Sequence, residues 1–71
     1  MTKDNFGPTL RNRRRDLGLR QEELAELAGV STRFVGELES GKATARLDKF
    51  QDVLNALGLK LEINLRKSSS S

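Results

Sequence analysis

Residues 21–40 constrain this chain more than any other stretch, because two short helical patterns meet there at Gly29-Val30-Ser31 with room between them only for a tight turn. In the first pattern Leu24, Ala25, Leu27 and Ala28 form one inner side. Glu22 and Glu23 occupy its first turn, where negative charge suits the helix dipole. Ser31 is placed to cap the second helix, from which Val35 and Leu38 face inward. Two helices crossing steeply need a small residue at the contact, a turn residue tolerant of positive φ, and apolar residues that clamp the pair. Ala25 and Gly29 meet the first two needs, and Leu24, Ala28, Val30, Val35 and Leu38 meet the third. An ordinary helical hairpin carries any one of these by chance. All seven in one window of twenty residues indicate a helix-turn-helix.

The flanks complete an all-α domain. A first helix is expected over residues 9–17, after Gly7-Pro8, with Leu10, Arg14 and Leu17 on one face. The third helix should end at Gly41 in a left-handed conformation. A fourth carries Leu47, Phe50, Val53, Leu54 and Leu57 and stops at Gly58. Residues 59–66 then alternate apolar and polar without a break, the period of a half-buried strand. Residues 1–8 are read as an N-terminal segment, 9–58 as the helix-turn-helix domain, and 67–71, Lys67 and four serines, as a tail expected to be disordered.

Composition removes whole classes of function. A chain of 71 residues with Cys 0 and His 0 has no disulfide framework, no zinc finger and no Ser-His or Cys-His dyad. With no Tyr either, an enzyme is not expected, nor a cofactor or metal. No apolar run approaches the roughly 18 residues of a membrane span, and the N-terminus does not lead into a signal peptide, so a cytoplasmic protein is expected. The net charge of +3 is unevenly distributed. Six Lys/Arg against two Asp give +4 over residues 1–20, one Arg against five Glu give −4 over 21–41, and six Lys/Arg against three acids give +3 over 42–71. Basic ends favour a polyanionic partner, though a charge run is also simply a solvated surface.

Leu19-Arg20-Gln21-Glu22-Glu23-Leu24-Ala25-Glu26-Leu27-Ala28-Gly29-Val30-Ser31, followed by Leu38-Glu39-Ser40-Gly41-Lys42, resembles the Cro/C1-type (XRE) helix-turn-helix of phage repressors. The resemblance covers residues 9–58 and implies a compact, four-helix, lambda-repressor-like domain with its third helix in the DNA major groove. The extension Gly41-Lys42-Ala43-Thr44-Ala45-Arg46-Leu47-Asp48, with a helix, Gly58 and one terminal strand, is similar to the HipB/Y4mF-type antitoxins. That narrower likeness implies a repressor of its own operon that binds a HipA-type Ser/Thr kinase toxin.

By this resemblance Thr32, Arg33 and Glu37 match the family's base-reading positions. The fork of Arg33 suits guanine O6 and N7; Glu37 either accepts from a cytosine amino group or holds Arg33 at i,i+4 spacing. Gly36 leaves a bare backbone for close approach or is a tolerated defect. Phosphate contacts are expected from Gln21, Ser40, Lys42 and Arg46, aided by amides at helix starts such as that capped by Ser31. Arg20 replaces the family's usual Thr or Ser cap, which forfeits a cap and adds a positive charge beside the backbone. Glu39, near the edge of the inner face, finds its natural partner in Arg14, and the corresponding residues are paired in the phage repressors.

A lone amphipathic strand satisfies neither its backbone nor its apolar face. Leu59, Leu61, Ile63 and Leu65 project to one side, so pairing with the same strand of a second copy is expected. Such a homodimer presents two recognition helices roughly 34 Å apart and reads a palindromic operator. Irregular packing of the segment on its own helices is the alternative. A stand-alone phage-type repressor without a toxin and a protein-binding module are the competing functions.

Overall fold

The computed structural model describes residues 6–42 and 46–60. Four helices follow in order: α1 Phe6–Asp16, α2 Gln21–Ala28, α3 Thr32–Glu39 and α4 Leu47–Ala56. α2 packs on both α3 and α4, and α1 lies against α3. Leu10, Leu24, Ala25, Val35, Leu38, Val53, Leu54 and Leu57 are buried at the centre of one core, with Phe6 and Phe50 at its edge. Among the described residues no helix is long and apolar enough to cross a membrane.

α1 starts three residues before the expected position. Pro8 falls in its first turn, where the missing N–H would have found no partner anyway. The early start brings the buried Phe6 edge-on against Phe50, with ring centroids 5.6 Å apart and planes at 61°. It also seats Gly7 on the end of α3, where a Cβ would collide with the Glu39 carbonyl and come within 3.0 Å of the Gly41 nitrogen. Gly7 is therefore a packing residue, not punctuation.

The turn between α2 and α3 closes through Gly29, in the left-handed region at φ 75° and ψ 31°. The Val30 amide donates to the Ala25 carbonyl at 3.0 Å, completing the stop. Ser31 then starts α3, its hydroxyl accepting the Phe34 amide at 3.0 Å. α2 opens without a cap from Arg20, whose guanidinium has no acceptor to offer; the Glu23 carboxylate takes the Arg20 amide instead, at 2.7 Å.

Three leucines depart from the expected apolar faces. Leu27 is 64% exposed and Leu47 65%, while Leu17 is 43% exposed in the turn beyond α1. Leu24, Ala25 and Ala28 already occupy the side of α2 that meets its neighbours, and Leu27 lies past the flank of that stripe. Leu47 is the first residue of α4 and is exposed there.

The end of α4 is tied down twice. The Leu59 amide donates to the Leu54 carbonyl at 2.8 Å, and Arg13 Nε donates to the Leu57 carbonyl at 2.8 Å, a cation at the negative end of the helix. Leu59 is partly buried against this chain's own core. Leu61, Ile63 and Leu65, expected on the same dimerisation face, lie outside the described residues, as do residues 67–71.

Candidate nucleic-acid interface

α3 separates its residues sharply by side. Val35, Leu38 and Glu39 are buried, whereas Thr32 and Arg33 are exposed and Gly36 and Glu37 half-exposed. At about 100° per residue positions 33, 36, 37 and 40 fall on one outward face, opposite the core. Capping by Ser31 leaves the exposed Thr32 and Arg33 at the start of the helix, the end from which side chains reach base edges in this motif. Arg33 Nε donates to Glu37 Oε2 at 3.2 Å, and Lys42 Nζ lies 3.8 Å from the same oxygen.

The outward face is held by a charge cluster at the junction of three helices. The Glu39 side chain is 1% exposed. Arg14 of α1 grips it with both arms of the fork, Nε to Oε2 at 2.6 Å and Nη2 to Oε1 at 3.0 Å. Gln21, the first residue of α2, donates its amide to Oε1 at 3.1 Å. Arg11 stands 3.6 Å from that oxygen. Arg14 also donates Nη1 to the Leu19 carbonyl at 2.8 Å, fastening the loop that leads into α2.

Burial by itself pushes the Glu39 carboxyl upward, but the hydrogen bonds from Arg14 and Gln21 and the charges of Arg14 and Arg11 outweigh it and hold the group below its ordinary value. The same hydrogen bond to Glu39 raises the Arg14 guanidinium, against a smaller opposing effect of burial. The pair is thus charged throughout the neutral range.

The residues expected at phosphates rest on acceptors of their own chain. Gln21 is bound to Glu39. The Ser40 hydroxyl donates to the Glu37 carbonyl at 2.8 Å. Arg46 Nη2 lies 3.4 Å from Asp48 Oδ2, an interaction that leads the effects holding the Asp48 carboxyl below its usual range. Arg20 Nε is 3.6 Å from Glu23 Oε1. Gln21 also neighbours Gly36, where a Cβ would sit 3.8 Å from Gln21 Oε1, so the start of α2 and the outward face of α3 adjoin. Arg11 and Gly7 were not anticipated from sequence. Arg11 had a signal, lying one turn before Arg14 on α1; Gly7 had none, since its role depends on how closely α3 approaches.

A short helix-turn-helix whose second helix is locked inward by a buried ion cluster and presents charged and polar side chains outward defines a DNA-binding fold of transcriptional regulators. The chain belongs to the helix-turn-helix family HTH_3, which matches residues 10–64. It is 44% identical over 62 residues, 87% of this chain and 82% of the other, to an uncharacterized HTH-type transcriptional regulator, y4mF, of Sinorhizobium fredii. Among solved structures it is similar to the restriction-modification controller protein C.AhdI of Aeromonas hydrophila, with TM-score 0.72, 34% identity, and coverage of 82% of this chain and 84% of that one. It is equally similar to the clp gene regulator ClgR of C. glutamicum, with TM-score 0.72, 34% identity, and coverage of 83% and 76%.

Proposed function

We propose that this chain is a sequence-specific, dimeric transcriptional repressor that inserts α3 into the major groove of a palindromic operator. The observation that carries this reading is the division of α3, with Arg33, Gly36 and Glu37 outward over a face fixed by Glu39. Arg33, held through Nε by Glu37, presents its terminal nitrogens to guanine O6 and N7, worth about 1–3 kcal/mol of discrimination. Thr32 lies beside it. Arg20, Gln21, Ser40, Lys42, Arg46 and the amides behind Ser31 contact phosphates, the cations among them trading a carboxylate of their own chain for a phosphate oxygen. Two copies join through residues 59–66. Selection of bound sequences from random duplex DNA tests this reading. A palindrome with half-sites about one helical turn apart is expected; no enriched sequence, or a lone half-site, would overturn it. Arg33→Ala should relax base preference, and Lys42→Ala should weaken all sequences alike.

The finer reading is a HipB-like antitoxin that acts in the cytoplasm, represses its own operon and restrains a HipA-type kinase. Its support is the likeness of residues 41–48 and the following helix to that branch. Titrating the chain into the phosphorylation assay of a HipA-type kinase encoded beside it tests this role. Inhibition is expected; undiminished activity together with intact operator binding leaves the stand-alone repressor.

A further inference from the structure

We infer that Glu37 is a specificity-determining residue that suppresses binding to random sequence by holding Arg33 and Lys42 away from phosphates while leaving the terminal nitrogens of Arg33 to the correct bases. The inference rests on the DNA-binding reading above and assigns Glu37 a role that neither base reading nor helix stability supplies. One carboxylate oxygen, Oε2, faces both cations, at 3.2 Å from Arg33 Nε and 3.8 Å from Lys42 Nζ. The backbone keeps them together: the Lys42 amide donates to the Glu37 carbonyl at 3.0 Å, and the Ser40 hydroxyl donates to that carbonyl as well. The Arg33 side chain is 87% exposed and that of Lys42 66%, so DNA can reach both.

Any phosphate that draws these cations away leaves a carboxylate facing a polyanion. On random sequence nothing offsets that repulsion. On the operator, Arg33 gains two guanine acceptors while Glu37 still steadies its other edge. The penalty is therefore general and the relief specific, which widens the gap between operator and bulk DNA.

The test compares Glu37→Gln with Glu26→Gln, a control of equal net charge change at an exposed position of α2. Affinities for the selected operator and for a scrambled duplex are titrated over a potassium chloride series, with melting curves to verify folding. Glu37→Gln should tighten scrambled binding by about three- to tenfold and steepen its log–log salt slope by about one, so that the ratio of operator to scrambled affinity falls by at least that factor. Equal shifts for both variants would reduce the effect to net charge and overturn the inference. So would weaker operator binding with unchanged scrambled binding, which makes Glu37 a base reader. A wild-type chain with no salt-dependent binding to any duplex would instead fell the DNA reading itself.

Discussion

Arg14→Met removes the fork that holds Glu39 while keeping a side chain of similar length in the same site. The carboxylate left behind is 1% exposed, with Gln21 at 3.1 Å and Arg11 at 3.6 Å as its remaining partners. Stripping one member from a buried pair costs about 3–5 kcal/mol. Arg11, 43% exposed, compensates only weakly through water and relieves little of that cost. The Leu19 carbonyl loses its donor too, at about 1 kcal/mol. A domain of this length has roughly 4–10 kcal/mol of total stability, so the substitution consumes a large part of it. Melting followed by circular dichroism at fixed protein concentration should fall by about 12 °C or more. The deficit should also depend on pH. In the wild type the folded Glu39 carboxyl lies below its unfolded value, so its contribution is complete above the ordinary carboxylate range and is lost as pH falls through the folded value. In the variant the buried group prefers to be protonated, and the gap between the two proteins narrows as the pH is lowered from 7 toward 4. A variant that melts within 2–3 °C of wild type at neutral pH (about half a kcal/mol) would refute the reasoning.

Other substitutions separate packing from recognition. Gly36→Ala meets only Gln21 Oε1, at 3.8 Å, so it should stabilise α3 by about 0.5–1 kcal/mol; operator affinity that nevertheless falls marks close backbone approach to DNA. Gly7→Ala drives a methyl into the Glu39 carbonyl and should cost about 1–3 kcal/mol, read as a lowered melting midpoint. A chain ending at Lys60 keeps Leu59 on the core, so it should retain its helical signal, sediment as a monomer and lose affinity for the palindrome.

Much of the helix-turn-helix was legible because its signals are local. Gly29 and Ser31 act within four residues of themselves, and each shows the expected stop or cap in the structure. The Arg14–Glu39 contact spans 25 positions, yet an arginine in an apolar stripe and a glutamate at the edge of another each ask for a partner. Periodicity failed where burial depends on neighbours. Leu27 has the right spacing for the inner side of α2, but neither α3 nor α4 reaches over it. Gly7-Pro8 reads as a break from sequence alone, because the features that make it helical, the Phe6–Phe50 contact and the closeness of α3, come from distant parts of the chain. The side chains expected at DNA rest on likeness; of the acceptors that hold them in the free chain, Glu37 for Arg33 is legible from i,i+4 spacing, whereas those of Gln21 and Lys42 are visible only in three dimensions.

Stability alone does not account for a carboxylate at position 39, since apolar groups of similar volume commonly replace a buried ion pair at little cost or with a gain. Orientation does. α1 contributes Arg14, α2 contributes Gln21 and α3 contributes Glu39 itself to one set of directional bonds. Turning α3 by one residue, about 100°, would break every one of them, whereas an apolar contact tolerates small rotations. The cluster therefore fixes which residues of α3 face outward, and with them the direction in which Arg33 projects. Stability and base selectivity should then come apart in the double variant Arg14→Met/Glu39→Met. Its melting midpoint should recover most of what Arg14→Met alone loses, since no buried charge remains. Its preference for the operator over scrambled duplex should stay reduced by about tenfold, the equivalent of 1.4 kcal/mol of lost discrimination. Full selectivity in a double variant that melts like wild type would show that apolar packing sets the register of α3 unaided.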